Sequence, residues 1–236
     1  MTLQEKAEQT YQLLIDWFGE PRWVAPTELR SAVIDELIHT MLSANTNDVN
    51  SKRAFEQLKT QLGSDWDNVR LAPLDVIKAA IRPAGMYNQK APNIVATLEQ
   101  ISRDRGDYDL SFLADIPLDD AMQYLIALPG VGHKTANIVM LFCFNHGAFP
   151  VDTHIQRISQ RLGIGSRRAS PEKLKQQWEE LLPPATYYGL HVTLIQLGRT
   201  ICQARTPECH RCPLQPLCDY ANGSGGWQDE PGANSG

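Results

Sequence analysis

Four of the chain's five cysteines fall within CQARTPECHRCPLQPLC, Cys202 to Cys218, at the spacing C-x6-C-x2-C-x5-C. Thiols crowded in this way ligate metal in a reducing compartment and pair as disulfides in an oxidising one. Four thiolates suit either zinc or an iron–sulfur cluster. Zinc ribbons present two separate C-x2-C knuckles, and here only Cys209 and Cys212 form one, so the spacing leans toward a cluster. A three-cysteine zinc site completed by His210 stays open. Cys143, inside the apolar run ANIVMLFCF, reads as core filler.

A second stretch able to do chemistry is LPGVGHKTANIV, Leu128 to Val139. A helix is expected to end near Leu128 and a new one to begin around His133, with Gly130, Val131 and Gly132 in the turn between them. Gly130 and Gly132 allow positive φ and close backbone approach. The N–H groups at the start of the second helix then face outward with the positive end of its dipole, which makes an anion site. The turn alone is equally compatible with a tight helix–helix connection that holds no ligand. A nucleotide phosphate loop is excluded, because His133 separates Gly132 from Lys134. Further on, GAFPVDTHIQRI uses Gly147 and Pro150 to deliver Asp152 just before another helix. Taken singly, a carboxylate there is a helix N-cap.

Positioning these groups falls to helices. Leu3, Ala7, Tyr11, Leu14 and Phe18 form one helical stripe, and Leu118, Met122, Leu125 and Ile126 another. Leu174, Trp178, Leu181 and Leu182 form a third, with Ser170 as N-cap, Pro171 at the first helical position and Pro183 as the stop. No alternating run is long enough for a strand, so the fold is expected to be all-α. The 236 residues suffice for one large domain or two lobes. No segment has the apolar length of a membrane span. The polar start MTLQEKAEQT lacks the core of a signal peptide, which points to a cytoplasmic protein. The end, ANGSGGWQDEPGANSG (221–236), has the composition of a disordered tail.

Together, LPGVGHKTA, the loop ending in VDTH and the cysteine spacing resemble the endonuclease III family of helix-hairpin-helix DNA glycosylases. LSANTNDVN (Leu42 to Asn50) and GMYNQKA (Gly85 to Ala91) resemble two further segments that line its DNA cleft. The likeness runs from about Leu29 to Tyr220. It implies a six-helix barrel lobe over residues 26–146. It also implies an iron–sulfur lobe from 1–25 and 147–220, with damaged double-stranded DNA bound between the two by a monomer. Cys202, Cys209, Cys212 and Cys218 would hold a [4Fe–4S] cluster with a structural task.

The implied activity is removal of oxidised pyrimidines from duplex DNA, with strand cleavage at the abasic sugar. Lys134 would attack C1′ and Asp152 would stabilise the cationic sugar. An ordinary lysine, with a pKa near roughly 10.4, is protonated at neutral pH and needs desolvation to react. Lys134 also separates the chain from the adenine-removing mismatch branch, which lacks it. Gly130, Val131, Gly132, His133 and Thr135 would cradle DNA phosphate, with His154 and Arg205 as further contacts; His154 reads equally as a packed residue. Relatives fill the gap left by the flipped nucleotide with a glutamine and an apolar residue. The matching positions hold Asn45, one methylene shorter, and Met86. The formal charge of −5 and the thinly basic QARTPE loop predict weak nonspecific DNA affinity. Of Lys52, Arg53, Lys90, Arg157, Arg161, Arg199, Arg205 and Arg211, about half are expected to meet phosphate. A DNA-binding paralogue with little catalysis is the alternative reading.

Overall fold

A computed structural model describes residues 1–224 of the chain. Every regular element among them is helical, as the periodicity requires. The α-helices are α1 (Leu3–Phe18), α2 (Leu29–Ser43), α3 (Asp48–Leu62), α4 (Trp66–Leu71), α5 (Leu74–Ala80), α6 (Tyr87–Arg105), α7 (Leu118–Ala127), α8 (His133–Phe144), α9 (Thr153–Leu162), α10 (Pro171–Leu181) and α11 (Tyr187–Thr200). Short 3-10 turns link several of them. None of these helices is long and apolar enough to cross a membrane.

The chain divides into two compact units: a central one, Ala25–Phe144, and a terminal one that joins Met1–Val24 to the chain from Asn145 onward. In the central unit α2 packs on α3 and α8, and α6 packs on α4 and α5. Val33, Ile34, Leu37 and Ile38 of α2 and Val139, Met140 and Cys143 of α8 are buried there. Cys143 is thus the core residue its setting suggested, and burial pushes its thiol up to about 12.

One carboxylate shares this interior. Burial raises Glu36 above the ordinary 4.5, against the opposing pulls of the Thr40 hydroxyl, which donates to it at 3.0 Å, and of His39. A carboxyl raised in the folded state contributes stability below pH 4.5 that is lost as the pH climbs through its folded value. Glu36→Gln keeps the Thr40 bond and removes that loss. It should therefore stabilise the protein by about 1 kcal/mol at pH 8, with no gain at pH 4 or below. Denaturant melts of both proteins across that range read the difference; parallel curves would contradict it.

In the terminal unit α11 packs on α9 and α1, and α10 joins α1. Ser170 caps α10 by accepting from the Lys173 N–H, with Pro171 at the first helical position, as its sequence requires. Phe149, Trp178, Tyr187 and His191 form an aromatic core with Phe149 at its centre, 5.7 to 6.3 Å from the other three rings. Trp178 donates its indole N–H to Ser159 Oγ at 2.8 Å. The expected disordered tail begins too early. Asn222, Gly223 and Ser224 donate their N–H groups to Cys218, Tyr220 and Asp219, folding residues 221–224 back on the cysteine segment. The rest of that tail lies outside the described residues.

Candidate functional site

The hairpin forms where expected, between α7 and α8. Gly130 adopts φ +74°, and a Cβ there would lie 2.7 Å from Asn93 Cβ on α6, so the chain itself demands glycine. Gly132 is different: a Cβ on it would meet nothing within 4 Å. Its carbonyl accepts the first α8 bond, from Ala136, which makes Gly132 the N-cap. A glycine cap has no side chain to offer the outward N–H groups of the first turn. Val131 is buried, Thr135 half-buried, and Gly132, His133 and Lys134 are exposed. Lys134 therefore stands in water on the isolated chain, and the desolvation its chemistry needs is not supplied by the chain around it.

The contrast between the two glycines is testable. Gly130→Ala should cost about 1–3 kcal/mol of stability, since it meets both a strained φ and a clash. Gly132→Ala meets neither a clash nor a positive φ and should cost no more than about 1 kcal/mol as a poorer helix cap, yet weaken DNA binding about tenfold. Equal effects of the two on binding and melting would mean the turn serves only to join helices.

Helix α6 steadies the hairpin from one face. Asn93 fits against Gly130, and one turn on, Thr97 donates its hydroxyl to Pro129 O at 2.6 Å. One turn before Asn93, Lys90 is 7% exposed and donates to Leu42 O and Ala84 O, each at 2.7 Å. Both acceptors lie just upstream of the two residues matched to the gap-filling pair. Asn45 and Met86 are exposed, and both take left-handed backbone, at φ 54° and 49°. Asn tolerates that conformation; for Met it costs about 1–3 kcal/mol and survives only where surroundings enforce it. The two tips touch, Asn45 Nδ2 lying 3.6 Å from Met86 Sδ.

In the terminal unit Asp152 is the N-cap of α9, with Oδ1 accepting from Ile155 N–H at 2.8 Å. The cap holds the carboxylate rigidly at the helix start. Farther along α9, Arg157 donates to Cys202 O and Gly198 O, and its Nη2 lies 3.1 Å from His154 Nδ1. His154 also packs on Gly198, where an added Cβ would come within 2.8 Å of it. Arg161 donates to Cys202 Sγ at 3.3 Å and to the carbonyls of Gln203 and Ala204, and stacks on Tyr220. From the other side Lys6 of α1 pairs with Asp219 at 2.8 Å.

The four clustered cysteines are free and half-buried. Burial pushes Cys212 up to about 12 and Cys218 to about 11, and the charges of the neighbouring cysteines add to both shifts. Among the described residues, no three or more His, Cys, Asp or Glu side chains converge on a point that would hold one metal ion. A [4Fe–4S] cluster makes another demand, since each thiolate binds a separate iron and the four sulfurs stand apart. Four free cysteines on one short loop, with Arg161 donating to Cys202 Sγ and Arg157 to Cys202 O, have the donor chemistry that such a cluster takes.

Several cations expected from the sequence to meet phosphate have other tasks. Lys90, Arg157 and Arg161 bond to backbone within their own units, and Arg211 pairs with Glu208 at 2.9 Å. Arg53 and Arg205 are exposed. Sequence reasoning missed these internal uses, and it missed Asn93 and Thr97 as supports.

Comparison with known proteins agrees with the geometry. Residues 38–184 match the family model described as HhH-GPD superfamily base excision DNA repair protein. Endonuclease III of Thermotoga maritima is 35% identical over 184 residues, covering 78% of this chain and 81% of the relative. Protein ROS1C of rice, Oryza sativa subsp. japonica, is 36% identical over 173 residues, 66% of this chain but 9% of that much longer protein. Among solved structures, a trapped endonuclease III–DNA covalent intermediate superposes with a TM-score of 0.78 at 27% identity, over 92% of this chain and 96% of that one. A hairpin with an exposed lysine, an all-helical fold and these relatives lead to one assignment: the chain belongs to the endonuclease III family of HhH-GPD base excision DNA repair glycosylases.

Proposed function

We propose that the chain removes oxidised pyrimidines from duplex DNA and then cuts the strand at the abasic sugar. The observation that carries this reading is Lys134, exposed at the second position of α8 directly after a glycine-capped turn. Phosphate on the outward N–H groups of that turn brings a sugar to the amine. Packing of the extruded sugar against Lys134 strips water from the amine, and the positive end of the α8 dipole beside it also opposes its charge, so that the neutral form is favoured despite the nearby phosphate. The nitrogen lone pair bonds to C1′ as the glycosidic bond breaks, and the bond electrons leave with the base, which takes up a proton. Asp152 stabilises the positive charge on the sugar in that step. A carboxylate raises an amine's pKa, so Asp152 is not what deprotonates Lys134. The sugar opens to a Schiff base, and loss of a C2′ proton expels the 3′ phosphate.

Before this the nucleotide must leave the stack, at a cost of a few kcal/mol, roughly. Asn45 and Met86 enter the gap. His133 and Thr135 flank the phosphate site, and Arg205 adds a contact from the cysteine loop. Cys202, Cys209, Cys212 and Cys218 would hold a [4Fe–4S] cluster, which supplies a structural cross-link when bound. The protein acts as a monomer on damaged DNA in the nucleoid. A second reading, a DNA-binding paralogue with narrowed catalysis, is favoured by the short Asn45 and by basic side chains turned inward.

Borohydride trapping separates the two. Wild-type protein should form a covalent adduct with duplex DNA carrying an oxidised thymine and with abasic duplex, and none with undamaged DNA. An adduct with abasic DNA alone would mean the base pocket serves another lesion. No adduct with any of them would leave the paralogue reading in place.

A further inference from the structure

Lys90 sits in the first turn of α6, where a cation meets the unfavourable end of the helix dipole, and it is almost wholly buried. Burial pulls its pKa down. Its ammonium donates to two carbonyls at 2.7 Å, which takes it out of service as a phosphate contact. One acceptor, Leu42 O, lies in the last turn of α2, where carbonyls lack helical partners. The other, Ala84 O, closes the 3-10 turn Arg82–Ala84.

These carbonyls belong to the stalks of the two tips: Leu42 precedes Asn45 by three residues, and Ala84 precedes Met86 by two. Met86 is also the left-handed N-cap of α6, and its carbonyl accepts from the Lys90 N–H at 2.9 Å. Lys90 therefore holds one tip through its backbone and both through its side chain. Asn45 and Met86 otherwise meet through a weak N–H to sulfur contact.

We infer that Lys90 is the positioning residue of the wedge: its ammonium sets the spacing and the left-handed presentation of Asn45 and Met86 as they enter the duplex. This rests on the gap-filling role proposed above for those two residues. Lys90 touches neither base nor sugar and acts through the tips.

The test uses full-length protein and a duplex with an abasic-site analogue beside 2-aminopurine, whose fluorescence rises when the neighbouring stack opens. Lys90→Met should need about ten to a hundred times more protein for the same rise. Trapping on single-stranded abasic DNA, which has no stack to open, should stay within about twofold of wild type. In a background of Asn45→Gly and Met86→Gly, which keeps the backbone shape without side chains, Lys90→Met should add nothing. Lys90→Arg, with its charge and donors retained, should restore part of the signal. If Lys90→Met fails to fold, Lys90→Gln, with an amide donor, takes its place in every arm. Equal losses on single and double strands, or additive losses in the double-glycine background, would reduce Lys90 to a fold-stabilising residue and overturn the inference. A wild-type fluorescence rise without any adduct would remove the proposed chemistry and leave the wedge standing. No rise in wild type would remove the wedge, and this inference with it.

Discussion

Lys134→Ala will give a folded protein that forms no borohydride-trapped adduct with abasic DNA. The side chain is exposed and makes no hydrogen bond among the described residues, so stability should move by no more than about 0.5 kcal/mol. Adduct formation should fall at least ~10³-fold, because the bond to C1′ has no other amine at that turn. Lys134→Arg should be equally dead, since a guanidinium is not deprotonated in proteins. Asp152→Asn gives the contrasting case. Asn caps a helix as well as Asp, so α9 keeps its start while the charge disappears. Base excision should then drop about 10²- to 10³-fold, with trapping on preformed abasic DNA less affected. An adduct that persists in Lys134→Ala would move the nucleophile elsewhere and undo the mechanism.

Replacing one clustered cysteine should have the largest effect on stability. Cys212→Ser should lose bound iron and acid-labile sulfide together and lower the melting temperature by about 10 °C or more, since ligation energy in a metal-held loop is folding energy. Without the cross-link, the loop depends on Arg157, Arg161 and the Lys6–Asp219 pair. Arg161→Met should give a milder version of the same loss, because it removes the bond to Cys202 Sγ and two to loop carbonyls. Cys143→Ser is the control: this thiol lies in the central unit and donates to Ala32 O, so iron content should not change. Full iron in Cys212→Ser would refute the ligand assignment. One zinc per chain in wild type would return the three-cysteine site with His210.

Much of the fold was legible because its cues are local. Ser170-Pro171 before an apolar stripe defines a helix start by chemistry within four residues, and α10 begins there. Pro-Gly-Val-Gly between two apolar periods defines the hairpin in the same way. Asp152 read singly as a cap, and it is one; nothing local distinguishes a cap from a cap that also meets a substrate. The internal cations were not legible. Lys90, Arg157 and Arg161 looked like surface charge because their partners are backbone carbonyls, which every residue has and no sequence marks. Apart from Ala84 O, six residues before Lys90, those carbonyls become acceptors only when a helix end or loop 41 to 48 residues away is brought beside the cation. The left-handed Asn45 and Met86 were hidden for the same reason, since tertiary contacts enforce the conformation. The folding-back of residues 221–224 was missed because Asn, Gly and Ser suit an ordered turn as well as a loose end.

Lys90, Asn93 and Thr97 share one face of α6, spanning about two turns or ~10 Å. The first sets the tips, and the others hold the turn that carries Lys134. A helix keeps such a face only while its residue count is fixed: one added residue turns everything beyond it by about 100°. An insertion between Lys90 and Asn93 would therefore unseat the tips or the turn, whichever lies on the displaced side. With the gap-filling role proposed for them, descendants of this chain can change how the duplex is opened by exchanging the side chains at 45 and 86. They cannot do so by lengthening the rod between them and the hairpin, so α6 should be the segment where length is most strictly inherited.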